Sequence, residues 1–339
     1  MKNSMKNFIK KPSTKLPLGI DISQQTLDYC LLNTNDKTIK GIIENTESSI
    51  LSFLNHYNPK EVYIIAEPTG TYSDKLFELS YAQGFEIHLV NPQRSNQYTK
   101  VLGLVNKTDT VAAFVLARMG RDNEIKLPLF QPQDELMKER KQLRMTLNAL
   151  TKQAQMLGNQ IHAMEQRLRP SKKALQALKN SLDAIQQQKQ ILEEELDELS
   201  DQEIKEFKKF AQSVVGIGPK TADLLMIFTN GLKTFSKKSQ LPKFVGTIPT
   251  THQSGSSINR RGYITKNGPS ILRACLYNAA NVAKRFNHAC KALYQRLRKN
   301  GKAHKVAMIA VINKLLHQVF AVVKSKNLFD NQRYLNKST

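Results

Sequence analysis

Apolar and polar positions along the chain follow three rhythms, and each predicts a different architecture. From Leu16 to about Glu124, short strand-like runs alternate with helical stretches. LPLGIDIS and TLDYCLLN predict two strands joined by a tight turn at Ser23–Gln25, and TIKGIIEN predicts a third. ESSILSFLNHY has the spacing of an amphipathic helix, and EVYIIAEP is a short apolar run of the buried-strand type. YSDKLFELSYAQG predicts a helix stopped at Gly84, FEIHLVNP another strand, and Thr108–Gly120 a further helix. A meander followed by strand–helix–strand units predicts a mixed α/β sheet covered by helices.

From Gln133 to Ser200 the rhythm changes to heptads. Leu143, Leu147, Leu150, Ala154, Leu157, Ile161, Met164 and Leu168 are spaced by fours and threes. After Pro170–Ser171 the pattern resumes at Leu175, Leu178, Leu182, Ile185, Lys189, Leu192, Leu196 and Leu199. Two long helices broken at a proline predict a coiled-coil hairpin or arm, which would mediate dimerisation or space two domains. The same heptads would also suit a helical bundle inside a globular core. From about Lys205 the chain reads as helical and basic. There VVGIGPKTADLLM places a Gly-x-Gly-Pro turn between an apolar stretch and a helix. That is a helix-hairpin-helix type signal, in which Gly216, Gly218 and Lys220 would face a DNA phosphate. The predicted organisation is a basic flexible tail (1–15), a mixed α/β domain (16–125), a coiled-coil region (126–204) and a basic helical C-terminal domain (205–339).

Charge sharpens this picture. The 339 residues carry 51 Lys and Arg against 28 Asp and Glu, a net charge of +23. The excess is uneven: no Asp or Glu lies between Asp223 and Asp330, while residues 224–329 hold 19 Lys and Arg. A polyanion is the natural partner of such a block. The same gap means that metal-binding carboxylates must come from the N-terminal half. Cys30, Cys275 and Cys290 are too few and too scattered for a disulfide frame or a zinc knuckle. No apolar run is expected to reach the roughly 18–20 residues of a membrane span, and no signal-type apolar core follows the basic N-terminus. These features predict a cytoplasmic, nucleoid-associated protein with no membrane partner. The seven histidines show no ligand spacing, and no Walker-type glycine pattern is present, so no ATP is expected.

Three acids on the α/β block point to chemistry. Asp21 lies on the first strand in GIDIS, Glu67 ends a later strand in IIAEPTGTY, and Asp109 opens the helix in NKTDTVAAFVLARMG. An acid on a first strand, one at a neighbouring strand's end and one on a final helix form the ribonuclease-H layout. There such acids bind one or two Mg²⁺ (or Mn²⁺) ions, which demand hard oxygen ligands. Each acid also has a plain structural alternative: Asp21 as a turn former, Glu67 as an ion-pair partner, Asp109 as a helix N-cap.

GIDIS, the AEPTG and NPQR segments, KTDTVAAFVLAR, VVGIGPKTA and GTIPTTHQSGSSINRRGYITKNGPSILRACLYNAA, in this order, resemble the transposases of the insertion sequence one-ten family. That group includes the eleven-eleven subgroup and the Piv-type DNA invertases, and the likeness runs from about Leu16 to about Phe329. It implies a RuvC-like DEDD domain, a coiled-coil region and a C-terminal transposase domain. It further implies recombination guided by a structured bridge RNA that pairs with donor and target DNA. On this resemblance Asp21, Glu67 and Asp109 match the first three acids of the family's tetrad. The fourth, three residues after the third, is Ala112 here. Three residues on a helix share a face, so Ala112 withdraws an oxygen from the metal site, and strand cleavage should be weakened or lost.

The resemblance also makes Ser254, in HQSG, the catalytic serine, which would form a phosphoserine–DNA link beside the acids. Without it, Ser254 is one hydroxyl among Ser254, Ser256 and Ser257 in a polar turn. Lys107, Arg260, Arg261, Lys266 and Arg273 are expected to clamp phosphates. His252 is a proton-acceptor candidate but reads more simply as a turn residue. The family suggests a homo-oligomer, a dimer of dimers in which one chain's acids meet another's Ser254. Two other readings fit the residues: a RuvC- or ribonuclease-H-type nuclease in which water attacks, and a non-enzymatic nucleic-acid-binding protein.

Overall fold

The computed structural model describes residues 15–333 apart from 34, 36, 105–107, 123–126, 133, 251, 255–257 and 261. The chain divides into two compact units, Met1–Pro132 and Gln133–Thr339.

In the first unit, β1 (Leu16–Ile22), β2 (Thr26–Leu32) and β3 (Thr38–Glu44) form an antiparallel meander. The helix α1 (Glu47–Leu54) leads to β4 (Val62–Ala66), which pairs parallel with β1. A 3-10 turn at Gly70–Ser73 and α2 (Asp74–Ala82) lead to β5 (Ile87–Leu89), parallel to β4. The sheet order is β3-β2-β1-β4-β5. Alternation sends successive side chains to opposite faces. Leu18, Ile20, Leu27, Ile64 and Ala66 fill a core with α1 and α2 residues such as Ile50, Leu54 and Leu76. On the other face Cys30 and Leu32, with Tyr63 and Ile65, meet α4 (Asp109–Arg121). All five β4 residues are buried, as its uninterrupted apolar run predicts.

One helix escapes the periodicity: α3 (Pro92–Val101). Its signal is local instead, since the Asn91 side chain accepts from the Gln93 N–H at the N-cap and Pro92 occupies the first turn.

The second unit is helical. The long helices α5 (Glu135–Glu165) and α6 (Lys172–Glu198) are separated by a break at 166–171, where the proline predicts one. Of the heptad positions read from the sequence, only Leu168, in the break, stands fully in solvent, at 97% exposure. Next come α7 (Gln202–Ser213), α8 (Pro219–Thr229), α9 (Gln240–Val245) and a two-strand hairpin of β6 (His252–Ser254) and β7 (Ile258–Arg260). The helices α10 (Ser270–Phe286), α11 (His288–Lys299) and α12 (His304–Ser325) complete the unit.

One sequence expectation needs correction here. Helix α12 is 22 residues long and apolar enough, by length and composition, to cross a membrane. Its apolarity has a different use in this unit. Ala307, Met308, Val311, Ile312, Leu315, Leu316, Val319 and Val322 are buried in the core that α7, α8 and α10 also build.

Candidate functional site

Two close approaches fix α4 on the sheet. A Cβ on Gly19 would lie 2.1 Å from the Ala113 carbonyl and 2.4 Å from the Ala117 nitrogen, so only glycine lets helix and strand meet there. At the far end Gly120 abuts Ile65 and Pro17, and the Tyr63 hydroxyl donates to the Gly120 carbonyl at 2.7 Å. Burial pushes the Tyr63 phenol up to about 12. With residue 120 over Pro17 and residues 113–117 over Gly19, α4 runs antiparallel to β1. Its N-terminus therefore lies at the Asp21 end of the strand.

Asp21 shares the face of Gly19, and Glu67 follows Ile65 on the same side of the sheet. Thr108, rather than Asp109, caps α4, accepting from the Val111 N–H at 3.3 Å. Asp109 thus sits exposed in the first turn, where the helix dipole favours an anion. Sequence, register and helix docking together direct Asp21, Glu67 and Asp109 to one side of the sheet. Glu67 accepts a hydrogen bond from the Ser95 hydroxyl of α3. The two share a narrow cleft with Asn96, Thr99, Val111 and Ala112. Position 112 thus lines the same cleft as Glu67, and its methyl group brings no oxygen there.

A further acid, which the sequence reading passed over, belongs to this face. The β1–β2 register sets Asp28 directly opposite Asp21. Asp28 is 6% exposed and accepts from the Thr110 hydroxyl at 3.2 Å. Burial raises its carboxyl above the ordinary value, the Thr110 bond lowers it and the charge of Asp109 raises it. Asn45, also buried, holds the strand ends together, donating to the carbonyls of Ser23 at 2.9 Å and Tyr72 at 3.0 Å.

In the second unit the backbone register pairs Ser254 with Ile258 and His252 with Arg260 across the hairpin. Lys107 and Arg261 lie outside the described residues. Lys266 is exposed and adopts the left-handed region, φ 57°, its N–H donating to the Gly246 carbonyl at 3.0 Å. The Arg273 guanidinium donates to the carbonyls of Val245, at 3.1 Å, and Gly268, so it braces the loop that carries the hairpin. Gly216 has φ 112°, and a Cβ there would lie 2.8 Å from the Ala283 Cβ, so it serves packing against α10. Gly218 caps α8 with open space around its Cα, and Lys220 donates to the Asn148 side chain at 3.3 Å. Asp223, the last acid before the acid-free block, is fully buried. It is bound by Arg140 and, at 2.6 Å, by the Arg144 Nε of α5.

Residues 18–170 match the DEDD transposase family model of the IS110 group, and residues 208–295 match the transposase model of the IS116/IS110/IS902 family. Together the two span more than two thirds of the chain. The chain belongs to the IS110 family of transposases. It is 28% identical to pilin gene-inverting proteins of Moraxella bovis and Moraxella lacunata, over 94% of this chain and 99% of theirs. An IS110 protein of Streptomyces coelicolor is 24% identical over 35% of this chain and 29% of its own length. Among solved structures, Thermus thermophilus RuvC with a Holliday-junction substrate aligns to 34% of this chain and 99% of its own. That alignment has 12% identity and a TM-score of 0.25.

IS110-family members are DNA-recombining enzymes with a DEDD domain, and divalent-metal dependence is general to such acid-lined domains. The oxygen donors on the α4 side of the sheet suit a hard cation in kind. They fall short in number. Position 112 offers a methyl group in the cleft it shares with Glu67, and among the described residues no three His, Cys, Asp or Glu side chains are gathered as a metal-binding group.

Proposed function

We propose that this chain is a cytoplasmic, nucleoid-associated DNA transposase whose strand cleavage is impaired by Ala112. Its specificity would be supplied by a bridge RNA pairing with donor and target DNA. What supports the reading is that the strand register and the docking of α4 direct Asp21, Glu67 and Asp109 to one side of the sheet, with Ala112 lining the cleft of Glu67. Asp21, Glu67 and Asp109 would hold Mg²⁺ or Mn²⁺, which when bound supplies charge neutralisation at the phosphate.

The protein's own part is nucleophilic. The Ser254 hydroxyl gives up its proton as its oxygen attacks a phosphorus of the DNA backbone, a P–O bond to Ser254 forms, and the bond to one sugar oxygen breaks. The departing sugar oxygen takes up a proton. Attack by the hydroxyl of a different strand then releases Ser254 and remakes a phosphodiester, so bond energy is conserved without ATP. The basic residues Lys107, Lys220, Arg260, Arg261, Lys266 and Arg273, with the turn glycines Gly216 and Gly218 before α8, belong to the nucleic-acid surface in this reading. Arg273 acts there through the loop it braces. Assembly as a dimer of dimers would bring four serines to the four strands, with the α5–α6 hairpin as the pairing arm.

The test is strand exchange with guide RNA, donor and target duplexes and Mg²⁺. Ala112→Asp should raise it by at least about 100-fold, the scale on which oriented metal donors act. Ser254→Ala in that background should abolish both exchange and the covalent protein–DNA adduct. Cleavage that persists without Ser254 would instead establish hydrolysis by water. No exchange in the restored protein would leave a binding protein alone.

A further inference from the structure

Where α10, α11 and α12 meet, the cations are organised rather than scattered. Tyr277, Asn281 and Lys284 lie on one face of α10, at spacings of four and three, and Lys291, Tyr294 and Arg298 lie on one face of α11. His304, the first residue of α12, joins the two helices. Its Nδ1 is 2.8 Å from the Tyr294 hydroxyl, and its Nε2 is 3.5 Å from that of Tyr277. Lys284 donates to the Asn281 side chain at 2.9 Å and stands 5.6 Å from the centre of the Tyr294 ring. Arg298 donates at 2.6 Å to the carbonyl of Lys302, closing the loop into α12.

Every partner in this set is neutral. A phenol, an amide, an aromatic face and a backbone carbonyl orient the cations without cancelling their charge. Among the described residues no carboxylate pairs with Lys284, Lys291, Arg298, Lys302 or Lys305. The N-terminus of α12 adds to the same potential: its N-cap is Ala303, no side chain caps it, and its first turn holds no acid. Lys291, Arg298, Lys302, His304 and Lys305 are all exposed. The outer part of the ridge lies past residue 295, where the family match ends.

We propose that this junction is a docking ridge for the phosphate backbone of a polynucleotide, outside the Ser254 hairpin. Charge complementarity selects the occupant. A protein-facing surface is depleted of lysine, whereas Lys284, Lys291, Lys302 and Lys305 gather here around His304 with no carboxylate paired to them among the described residues. The tyrosines hold the loop and the helix N-terminus in place, so the cations are pre-oriented before binding, which lowers its cost. The proposal deepens the transposase reading by giving its polynucleotide a surface. It is measured by binding alone, so failed strand exchange would leave it standing, and a failed ridge would leave strand exchange standing.

The experiment is equilibrium binding of the full chain to duplex DNA, single-stranded DNA and single-stranded RNA over a salt series. The variant Lys291→Gln/Lys302→Gln/Lys305→Gln changes exposed side chains only. On duplex it should flatten the slope of log affinity against log salt by about 2–3, from ~0.9 per phosphate contact, and by about 2 on single strands. The matching Lys→Arg triple should restore the slope. A control with the same charge change on the hairpin, Lys172→Gln/Lys173→Gln/Lys179→Gln, should leave it unchanged. A larger loss with RNA would make the ridge a guide-strand surface, and a larger loss with duplex a DNA surface. An unchanged slope in the ridge triple, or an equal change in the control, overturns the proposal.

Discussion

The two units of this protein handle carboxylates in opposite ways. In the first, acids are displayed: Asp21, Glu67 and Asp109 point to one side of a sheet, and Asp28 stands opposite Asp21. In the second, the last acid before a long basic stretch is taken inside, where Arg140 and Arg144 neutralise Asp223. Display costs stability where an acid is also buried, as burial raises the Asp28 carboxyl. Internalisation leaves the outer surface from α8 through α12 without a carboxylate. One unit therefore keeps negative charge where a cation would be held, and the other withdraws it from where a polyanion would lie.

The largest expected effect comes from breaking the internal neutralisation. Asp223→Asn would leave two arginines facing each other inside the second unit. It should cost about 3–5 kcal/mol, the scale of an uncompensated buried charge. Urea denaturation would report it as a lower midpoint with an unchanged m-value. The double variant Asp223→Leu/Arg140→Met should recover most of the loss, because the penalty belongs to unpaired charge. A single variant as stable as the parent would show that the pair does no such service.

Next in size are two glycines that place helices, one in each unit. Gly19→Ala forces a Cβ into the backbone of α4, and Gly216→Ala sets a Cβ against Ala283 at a φ of 112°. Each should cost roughly 1–3 kcal/mol. They should part in function. In an Ala112→Asp background, Gly19→Ala displaces the helix that carries Asp109 and should lower strand exchange beyond its effect on stability. Gly216→Ala should lower polynucleotide affinity first. Equal effects on both readouts would erase the division of labour between the units.

Much of this could be read from the residues, and the exceptions have physical causes. The five strands of the first unit were legible as short, strand-like runs bounded by turn residues, because a sheet covered on both faces leaves β1, β2 and β4 buried almost throughout. Helix α3 escaped because Asn91–Pro92 signals a start by capping rather than by periodicity. Asp28 escaped for a subtler reason. The turn closes with the Ser23 N–H on the Thr26 carbonyl at 2.9 Å, which pairs Asp21 with Asp28. A slip of one residue would pair Asp21 with Leu27 and turn Asp28 to the other face, so the acid's role depends on a register that spacing alone does not supply. Arg273 looks like a phosphate clamp by composition. Its carbonyl partners, Val245 and Gly268, become visible only once the loop is folded.

The smallest expected effect tests the display of acids directly. Asp28→Asn keeps an oxygen for the Thr110 hydroxyl and removes one negative charge beside Asp21 and Asp109. The Asp28 carboxyl is raised above 3.8 in the folded protein, mainly by burial, so the folded state holds its proton more tightly than the unfolded state does. Ionised Asp28 therefore opposes folding at neutral pH, and the opposition fades as pH falls through the raised value towards 3.8. The Asn variant should be slightly the more stable at pH 7, and the gap should narrow as pH falls through the raised value and close below 3.8. Denaturation at pH 7 and at a pH below 3.8 measures it. A gap that widens in acid would mean that the charge of Asp28 supports the fold, and the face beneath α4 would then be an ion-pair network rather than a set of acids held ready for a cation.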